Sequence, residues 1–255
     1  MPGTNQSSKF YFDNPAVFER VHQARFRPES DFVGALLAQH ASLASILDVA
    51  CGTGAHASLL TEAGFSVTGL DLNPFMITFA HKNHPTLAFL VGDMRALPFT
   101  NVFDAVICMC SSFSYNNSNE EITTALQGFS RALKPGGLAI IDVFNPLSLL
   151  ERRTFASEIR EDTKYAEVGM YSVSQISIEI PNQLLVEKRS LFMIKDDKLV
   201  QSDVTKFRLF FPQELRYFLE TNGFENVVFY GGFDSYDQDL KGARLIALAK
   251  KVSKA

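Results

Sequence analysis

The chain has 255 residues, 46% of them hydrophobic and 20% charged, with a formal net charge of −4. This is the balance of an ordinary soluble globule, long enough to bury a substantial core as one elaborated α/β domain. The negative balance argues against a general binder of phosphate backbones, and no apolar run approaches the about 18 residues that a membrane span needs. With no apolar stretch after Met1, a cytoplasmic protein is expected. Cys51, Cys108 and Cys110 are too few for a disulfide framework and lack the second ligand pair of a zinc site, so no metal is expected.

Asn14-Pro15 reads as the start of a short helix carrying Val17, Phe18, Val21 and Ala24. A second helix is expected after Pro28, with Phe32, Val33, Leu36 and Leu37 as its stripe. Residues 45–50 form a buried-strand pattern that runs into Cys51-Gly52-Thr53-Gly54, and the helical pattern of 55–63 stops at Gly64. Strand 65–70 ends at Asp71, Asn73-Pro74 opens the next helix, and 87–91 and 103–110 are further strands. Ser118 and Glu121 have the spacing of a capping box for a helix with Ile122, Leu126, Phe129 and Leu133. Lys134-Pro135-Gly136-Gly137 ends that helix and turns into strand 138–143. Strands separated by helices predict an α/β fold, a parallel sheet with helices on both faces.

The pattern changes after Phe144. Over 166–211 the period is two, with Ile176, Ile178 and Ile180 alternating with Gln175, Ser177 and Glu179, as in a sheet with one wet face. Pro181-Asn182 and Asp196-Asp197 mark turns. Helical spacing resumes at Pro212 and ends at Asn222-Gly223, and strands 225–230 and 243–249 complete the chain. The expected organisation is a single domain in four parts. These are N-terminal helices (1–44), a ligand-binding core (45–144), an inserted antiparallel β lid (145–211), and a last helix with two strands (212–255).

Ligands of an open parallel sheet bind beyond the carboxyl ends of its strands. Here those ends carry Asp48 to Gly54, Asp71, Asp93 and Cys110 to Ser114. Gly52 and Gly54 let a ligand approach the backbone, Asp71 is placed to accept from both hydroxyls of a ribose, and Asp93 from an adenine amino group. The same loop satisfies the dinucleotide fingerprint G-x-G-x-x-G/A through Gly52, Gly54 and Ala57. Asp48 argues against that alternative, because a carboxylate there repels a pyrophosphate and favours an amino group or a sulfonium.

With these residues in view, D-V-A-C-G-T-G, G-L-D-L-N-P-F-M, G-D-M-R, F-D-A-V-I-C-M-C-S-S and L-K-P-G-G resemble the successive motifs of class I S-adenosylmethionine-dependent methyltransferases. The five stand in order over 46–144. The resemblance implies a Rossmann-like doubly wound sheet, mostly parallel with an antiparallel last strand. Among such enzymes the chain looks most like small-molecule N-methyltransferases of the amino-sugar and glycine type. Carried over by position, Asp48, Ala50, Gly52 and Gly54 would line the methionine part of S-adenosylmethionine. Asp71 would hold its ribose, Leu72 and Met76 would flank its adenine, and Asp93 and Met94 would sit at the adenine edge. Cys110 and Ser111 would lie beside the substrate, and Arg25 would meet the cofactor carboxylate. His56 is expected on a helix surface.

The sulfonium is already a good leaving group, so alignment of the nucleophile is the main task. The five histidines, at 22, 40, 56, 81 and 84, all precede the segments expected to line the acceptor pocket. This favours a small-molecule amine, attacked by in-line displacement, with no catalytic residue assigned. The alternatives are oxygen methylation with a histidine or a carboxylate such as Asp142 or Glu151 as base, and a non-catalytic cofactor-binding or interaction protein. Tyr115, Asn145 and Arg244 are candidate acceptor contacts, and Tyr11 and Phe12 are expected to help exclude water. Cys110-Ser111-Ser112-Phe113 is not the N-P-P-Y type loop of DNA amino-methyltransferases, so no nucleic-acid or membrane partner is expected. Either a monomer or a homodimer is compatible.

Overall fold

The computed structural model describes residues 12–39, 44–152, 158–161, 166–234 and 239–253. Helix α1 (Pro15–Ala38) is followed by β1 (Ser45–Val49), α2 (Ala55–Glu62), β2 (Ser66–Asp71), α3 (Pro74–Asn83) and β3 (Ala88–Val91). After β4 (Phe103–Cys108), α4 (Asn119–Ala132), β5 (Leu133–Phe144) and α5 (Pro146–Arg152) come β6 (Glu158–Glu161), β7 (Met170–Glu179), β8 (Leu184–Met193) and β9 (Leu199–Arg208). Helix α6 (Pro212–Thr221), β10 (Phe224–Tyr230) and β11 (Arg244–Lys251) close it.

Seven strands form one sheet in the order β10-β11-β5-β4-β1-β2-β3. Strands β1 to β5 run parallel, while β11 is antiparallel to both β5 and β10. Side-chain alternation feeds two cores, one on each face. Leu47, Val49, Val106 and Ile141 pack under Ile122, Leu126 and Phe129 of α4 and Leu215 and Leu219 of α6. Ile46, Ile107 and Ile140 point the other way, onto Val33, Leu36 and Leu37 of α1, Leu60 of α2 and Ile77 of α3. Strands β1, β2 and β3 spread to one side of β1, and β4 lies on the other. The reversal opens a crevice between the carboxyl ends of β1 and β4. The second sheet, β6-β7-β8-β9, is antiparallel throughout, and Ile176 and Ile178 lie on its core-facing side as the alternation predicts. Ile180 does not join them, because it leaves the strand for a short 3-10 turn and is exposed.

Two local expectations change. The two N-terminal helices are one 24-residue helix with Pro28 inside it. A proline there removes one backbone hydrogen bond, at a cost of about 3 kcal/mol. Burial of Phe26, Phe32, Val33, Leu36 and Leu37 along the same helix offsets it. Asn14 stands at the helix start, where its carbonyl accepts from Val17 and Phe18, but its side chain makes no capping bond. The other start signals hold: Asn73 accepts from the Phe75 amide, and Ser118 and Glu121 form both halves of the capping box.

Gly69 faces Phe89 across β2 and β3. A β-carbon there would sit 2.5 Å from Phe89 Cδ1 and 2.8 Å from Cys51 Sγ. Gly69→Ala should therefore destabilise the fold by about 1–3 kcal/mol in urea melts. Gly34→Ala, in α1 with nearest neighbours at 3.8 Å, should instead stabilise it by about 0.5–1 kcal/mol.

Candidate active site

The loop after β1 turns through Ala50 (φ 59°), Gly52 (φ 55°) and Gly54 (φ 80°). Gly54 is also required sterically, since its β-carbon would fall 2.6 Å from the Phe89 ring. The Asp71 carboxylate fixes this loop. Oδ2 accepts from the Gly52 amide at 2.9 Å, and Oδ1 from the Asn73 amide at 2.8 Å. Burial raises the Asp71 pKa, and those two amide bonds oppose the rise. One acceptor lone pair on each oxygen remains for a ligand hydroxyl.

Asp48, at the end of β1, is 1% exposed, and its Oδ2 has no hydrogen-bond partner. Burial pushes its pKa up to about 7, with the neighbouring Asp71 adding to the rise and His56 opposing it. An acid left half-protonated at neutral pH, with an unmet oxygen, is a receptor for a cation or an N–H donor.

After β4, Cys110 (φ 57°) and Ser111 (φ 58°) are consecutive non-glycine residues in the left-handed region. Such conformations cost about 1–3 kcal/mol each and concentrate at ligand clamps and active sites. Asp142 of β5 holds the Ser111 amide at 3.3 Å and forms a two-pronged ion pair with Arg244. The Ser111 hydroxyl is fully buried without a partner, and burial pushes the Cys110 thiol up to about 12.

Arg25 donates to Glu29 Oε1 at 2.8 Å, and Glu29 Oε2 meets His56 Nε2 at 2.9 Å. His56 is therefore not on a helix surface. It is 5% exposed, drawn in by Glu29, whose pKa is lowered by the His56 and Arg25 bonds against the effect of burial. Glu29, His56 and Cys110 bring oxygen, nitrogen and sulfur donors within 4.8 Å of one another. The carboxylate is already committed to Arg25 and His56, which makes the group an ion-pair network. Sequence reasoning missed Glu29; the only signal was the i,i+4 spacing from Arg25.

The remaining expected residues divide. Leu72 is largely exposed beside Asp71, whereas Met76 is 1% exposed and lies beneath the surface. The Asp93 carboxylate is engaged by Arg95 through Nε, Nη2 and the backbone amide, which holds its pKa down against a burial effect. Met94 Sδ is 3.1 Å from Asn116 Nδ2. Of the three acceptor candidates, Asn145 is fully buried and donates to the carbonyls of Leu240 and Gly242, and Arg244 is held by Asp142. Tyr115 lies between the two sheets, its ring 5.0 Å from Phe207 and 6.5 Å from Phe12. Phe12 is tied to the Asp71 loop through its carbonyl, which accepts from Asn73. Tyr11 lies outside the described residues.

Residues 46–137 match the methyltransferase-domain family. With that match, the doubly wound sheet and the glycine loop held by Asp71, the segment 46–137 is a methyltransferase domain, similar to those of S-adenosylmethionine-dependent enzymes. It is 35% identical to a dTDP-3-amino-3,4,6-trideoxy-alpha-D-glucopyranose N,N-dimethyltransferase of Streptomyces venezuelae, over 57% of this chain and 62% of that one. It is 28% identical to a glycine/sarcosine N-methyltransferase of Aphanothece halophytica, over 85% of this chain and 79% of that one. The structure of S-adenosylmethionine-bound CalS10, an amino pentose methyltransferase from Micromonospora echinaspora, superposes with a TM-score of 0.72 at 24% identity. That likeness covers 92% of this chain and 97% of the other. The matches to the sugar N,N-dimethyltransferases span 51% to 62% of those proteins' own lengths. No helix among the described residues is long and apolar enough to cross a membrane.

The residues present fit S-adenosylmethionine. The unmet Asp48 oxygen suits its cationic methionine end, Arg25 its carboxylate, and the spare acceptor capacity of Asp71 its ribose. A pH dependence follows. The folded pKa of Asp48, about 7, exceeds the ordinary aspartate value of about 3.9. The folded state thus holds a proton that the unfolded chain releases, and apoprotein stability should fall as pH rises from about 4 to 7. Cofactor cations favour the ionised acid, so binding should expel the proton and tighten as pH rises through 7. Calorimetry in buffers of different ionisation enthalpy should detect the proton, and Asp48→Asn should flatten both dependences.

Proposed function

We propose that the chain transfers the methyl group of S-adenosylmethionine to an amine nitrogen of a small molecule. The observation that carries this reading is that the groups bordering Cys110, Ser111 and Tyr115 are held protonated or already paired, Glu187 among them through Arg189 and Ser174, while Asp48 lies apart at the end of β1 on the cofactor side. Burial pushes the Cys110 thiol and the Tyr115 phenol up, so both remain protonated. Asp142 is committed to Arg244 and the Ser111 amide. His22 bonds the Phe18 carbonyl and His56 bonds Glu29, both on the α1 side of the crevice. A neutral amine needs no base to attack. Its nitrogen lone pair displaces the thioether from the methyl carbon, and the surplus N–H proton leaves to solvent afterwards.

The relatives named as amino-sugar and glycine/sarcosine N-methyltransferases support the same atom, while others of similar identity are demethylmenaquinone methyltransferases. The protein's part is then to bind, orient and exclude water. Arg25, Asp48 and Asp71 hold the cofactor, Leu72 flanks its adenine, Cys110 and Ser111 border the transfer path, and the second sheet covers the acceptor. Positioning of this kind can supply about 7–11 kcal/mol of barrier reduction.

Incubation with methyl-labelled cofactor and a metabolite extract, followed by mass spectrometry, should place the label on nitrogen. With the acceptor in hand, the acid limb of kcat/KM at saturating cofactor should follow the acceptor's own amine pKa and shift with a less basic analogue. Loss of a general base costs about 10²–10⁴-fold. His56→Gln should stay within about tenfold of wild-type kcat by that criterion. A limb that stays fixed across acceptors and disappears in one histidine variant would favour oxygen methylation.

Asp71→Ala removes a charge-assisted hydrogen-bond acceptor, an interaction of about 1.5–3 kcal/mol. Cofactor affinity should drop at least tenfold by calorimetry in a folded variant.

A further inference from the structure

The second sheet turns one side toward the first. Directly paired residues of antiparallel strands share a face. The pairs Ser172↔Leu191, Ser174↔Arg189, Ile176↔Glu187 and Ile178↔Leu185, with Leu185↔Phe207 and Glu187↔Thr205, therefore lie on one side. Both ends of that side are apolar and grip the rest of the fold. At one end Met170 and Leu191 pack with Val17, Phe18 and Val21 of α1. At the other, Leu185, Phe207, Ile176 and Ile178 pack with Tyr115, Phe144 and Leu149.

Between the two grips runs a polar row: Ser172, Ser174, Glu187, Arg189, Asp203 and Thr205. A merely covering face would be apolar throughout, since buried polar groups cost stability unless they are bonded. Ser174 Oγ donates to Glu187 Oε1 at 3.0 Å, and Arg189 Nη2 reaches both Glu187 oxygens at 2.7 and 2.8 Å. The Ser172 hydroxyl is fully buried and has no partner. The Glu187 and Arg189 side chains keep 13% and 20% of their surface. Tyr115 packs against Phe207 of this sheet, and its phenol lies within electrostatic reach of Arg189 and Glu187 on one side and of Asp71 on the other. The row thus overlooks the space between the two.

Its charge state narrows what it can hold. Glu187 and Arg189 neutralise each other, and Asp203, which accepts from the Gln201 side chain, stands opposite Arg189, so the row offers hydroxyls and the remaining acceptor capacity of Glu187 Oε2 with no surplus positive charge. A carboxylate or phosphate there would face Glu187 while the guanidinium is already engaged. A hydroxyl can donate to Oε2 without disturbing the pair.

We propose that this row is the subsite for the non-reacting part of the acceptor, and that the group bound there is not anionic and carries hydroxyls. The inference rests on the amine reading above and extends it from the reacting atom to the rest of the molecule. Glu187 takes a hydrogen bond from the acceptor hydroxyl, while Ser174 and Arg189 fix its carboxylate. Sites built to bond a hydroxyl discriminate strongly against analogues that lack it, because the site's own polar group is then left unpaired.

The test uses the full chain with methyl-labelled cofactor and a metabolite extract, comparing wild type with Glu187→Gln and Ser174→Ala. The labelled product should carry a hydroxyl on the part of the molecule away from the methylated nitrogen. Its kcat/KM should fall at least tenfold in Glu187→Gln, while calorimetric cofactor affinity stays within twofold of wild type. Should Glu187→Gln fail to fold, Ser174→Ala, which loosens the carboxylate and keeps the ion pair, should show the same split with at least a threefold loss. A labelled amine without any hydroxyl overturns the proposal, as does a loss below these thresholds in the folded variant. Label on oxygen, or on nothing, would instead overturn the amine reading itself.

Discussion

The site depends on one carboxylate held by two backbone amides. Asp71 binds the Gly52 amide with one oxygen and the Asn73 amide with the other. It thereby fixes the glycine loop leaving β1 to the turn leaving β2. Without that link the left-handed residues Ala50, Gly52 and Gly54 would have no reason to hold one path. With it, the loop backbone, the start of α2 and the start of α3 are set in one frame. The Asn73 side chain extends the frame to Phe12 through the Phe12 carbonyl, so the N-terminal segment is fastened to the same strand end.

Much of this frame was legible in the sequence because its signals are local. The two glycines, the aspartates that end strands, and the capping residues at Asn73 and Ser118 each announce a short-range geometry. Strand parity over 176–178 also predicted the core-facing side of the second sheet. What was hidden depends on pairing across long separations. Glu29 meets His56 across 27 residues, and Asp142 meets Arg244 across 102. Nothing in either neighbourhood shows that a charge has been buried there. The continuous α1 was illegible for a related reason. Pro28 is a local stop signal, and only tertiary burial on both sides of it overrides the stop.

The polar row on the second sheet shows where pattern reading misleads. Ser174, Glu187 and Arg189 have the chemistry of a wet face, yet their registers place them with Leu185, Leu191 and Phe207. Polarity alone assigns such residues outward. Register and packing turn them inward, over Tyr115. A rule broken by several adjacent residues, with a buried serine hydroxyl left unpaired among them, marks function more strongly than stability does.

Three acids stand at or near the carboxyl ends of strands that lie side by side: Asp71 on β2, Asp48 on β1 and Asp142 on β5, beyond β4. Each meets burial differently. Asp71 has two amides, Asp142 has Arg244 and the Ser111 amide, and Asp48 Oδ2 has no partner. Satisfying the outer two against protein groups leaves the middle acid as the one whose charge awaits a ligand. The nearby basic side chains make no hydrogen bond to it. Arg25 and His56 are both engaged by Glu29. Glu29 thus keeps the guanidinium beside a carboxylate on α1, while the Asp48 oxygen stays open to a cation. A zwitterion with an added sulfonium carries that same separation of charge, with its carboxylate at one end and its cationic centres set apart from it. The site can therefore recognise its cofactor by the order of charges along the molecule, which a net charge alone would not distinguish.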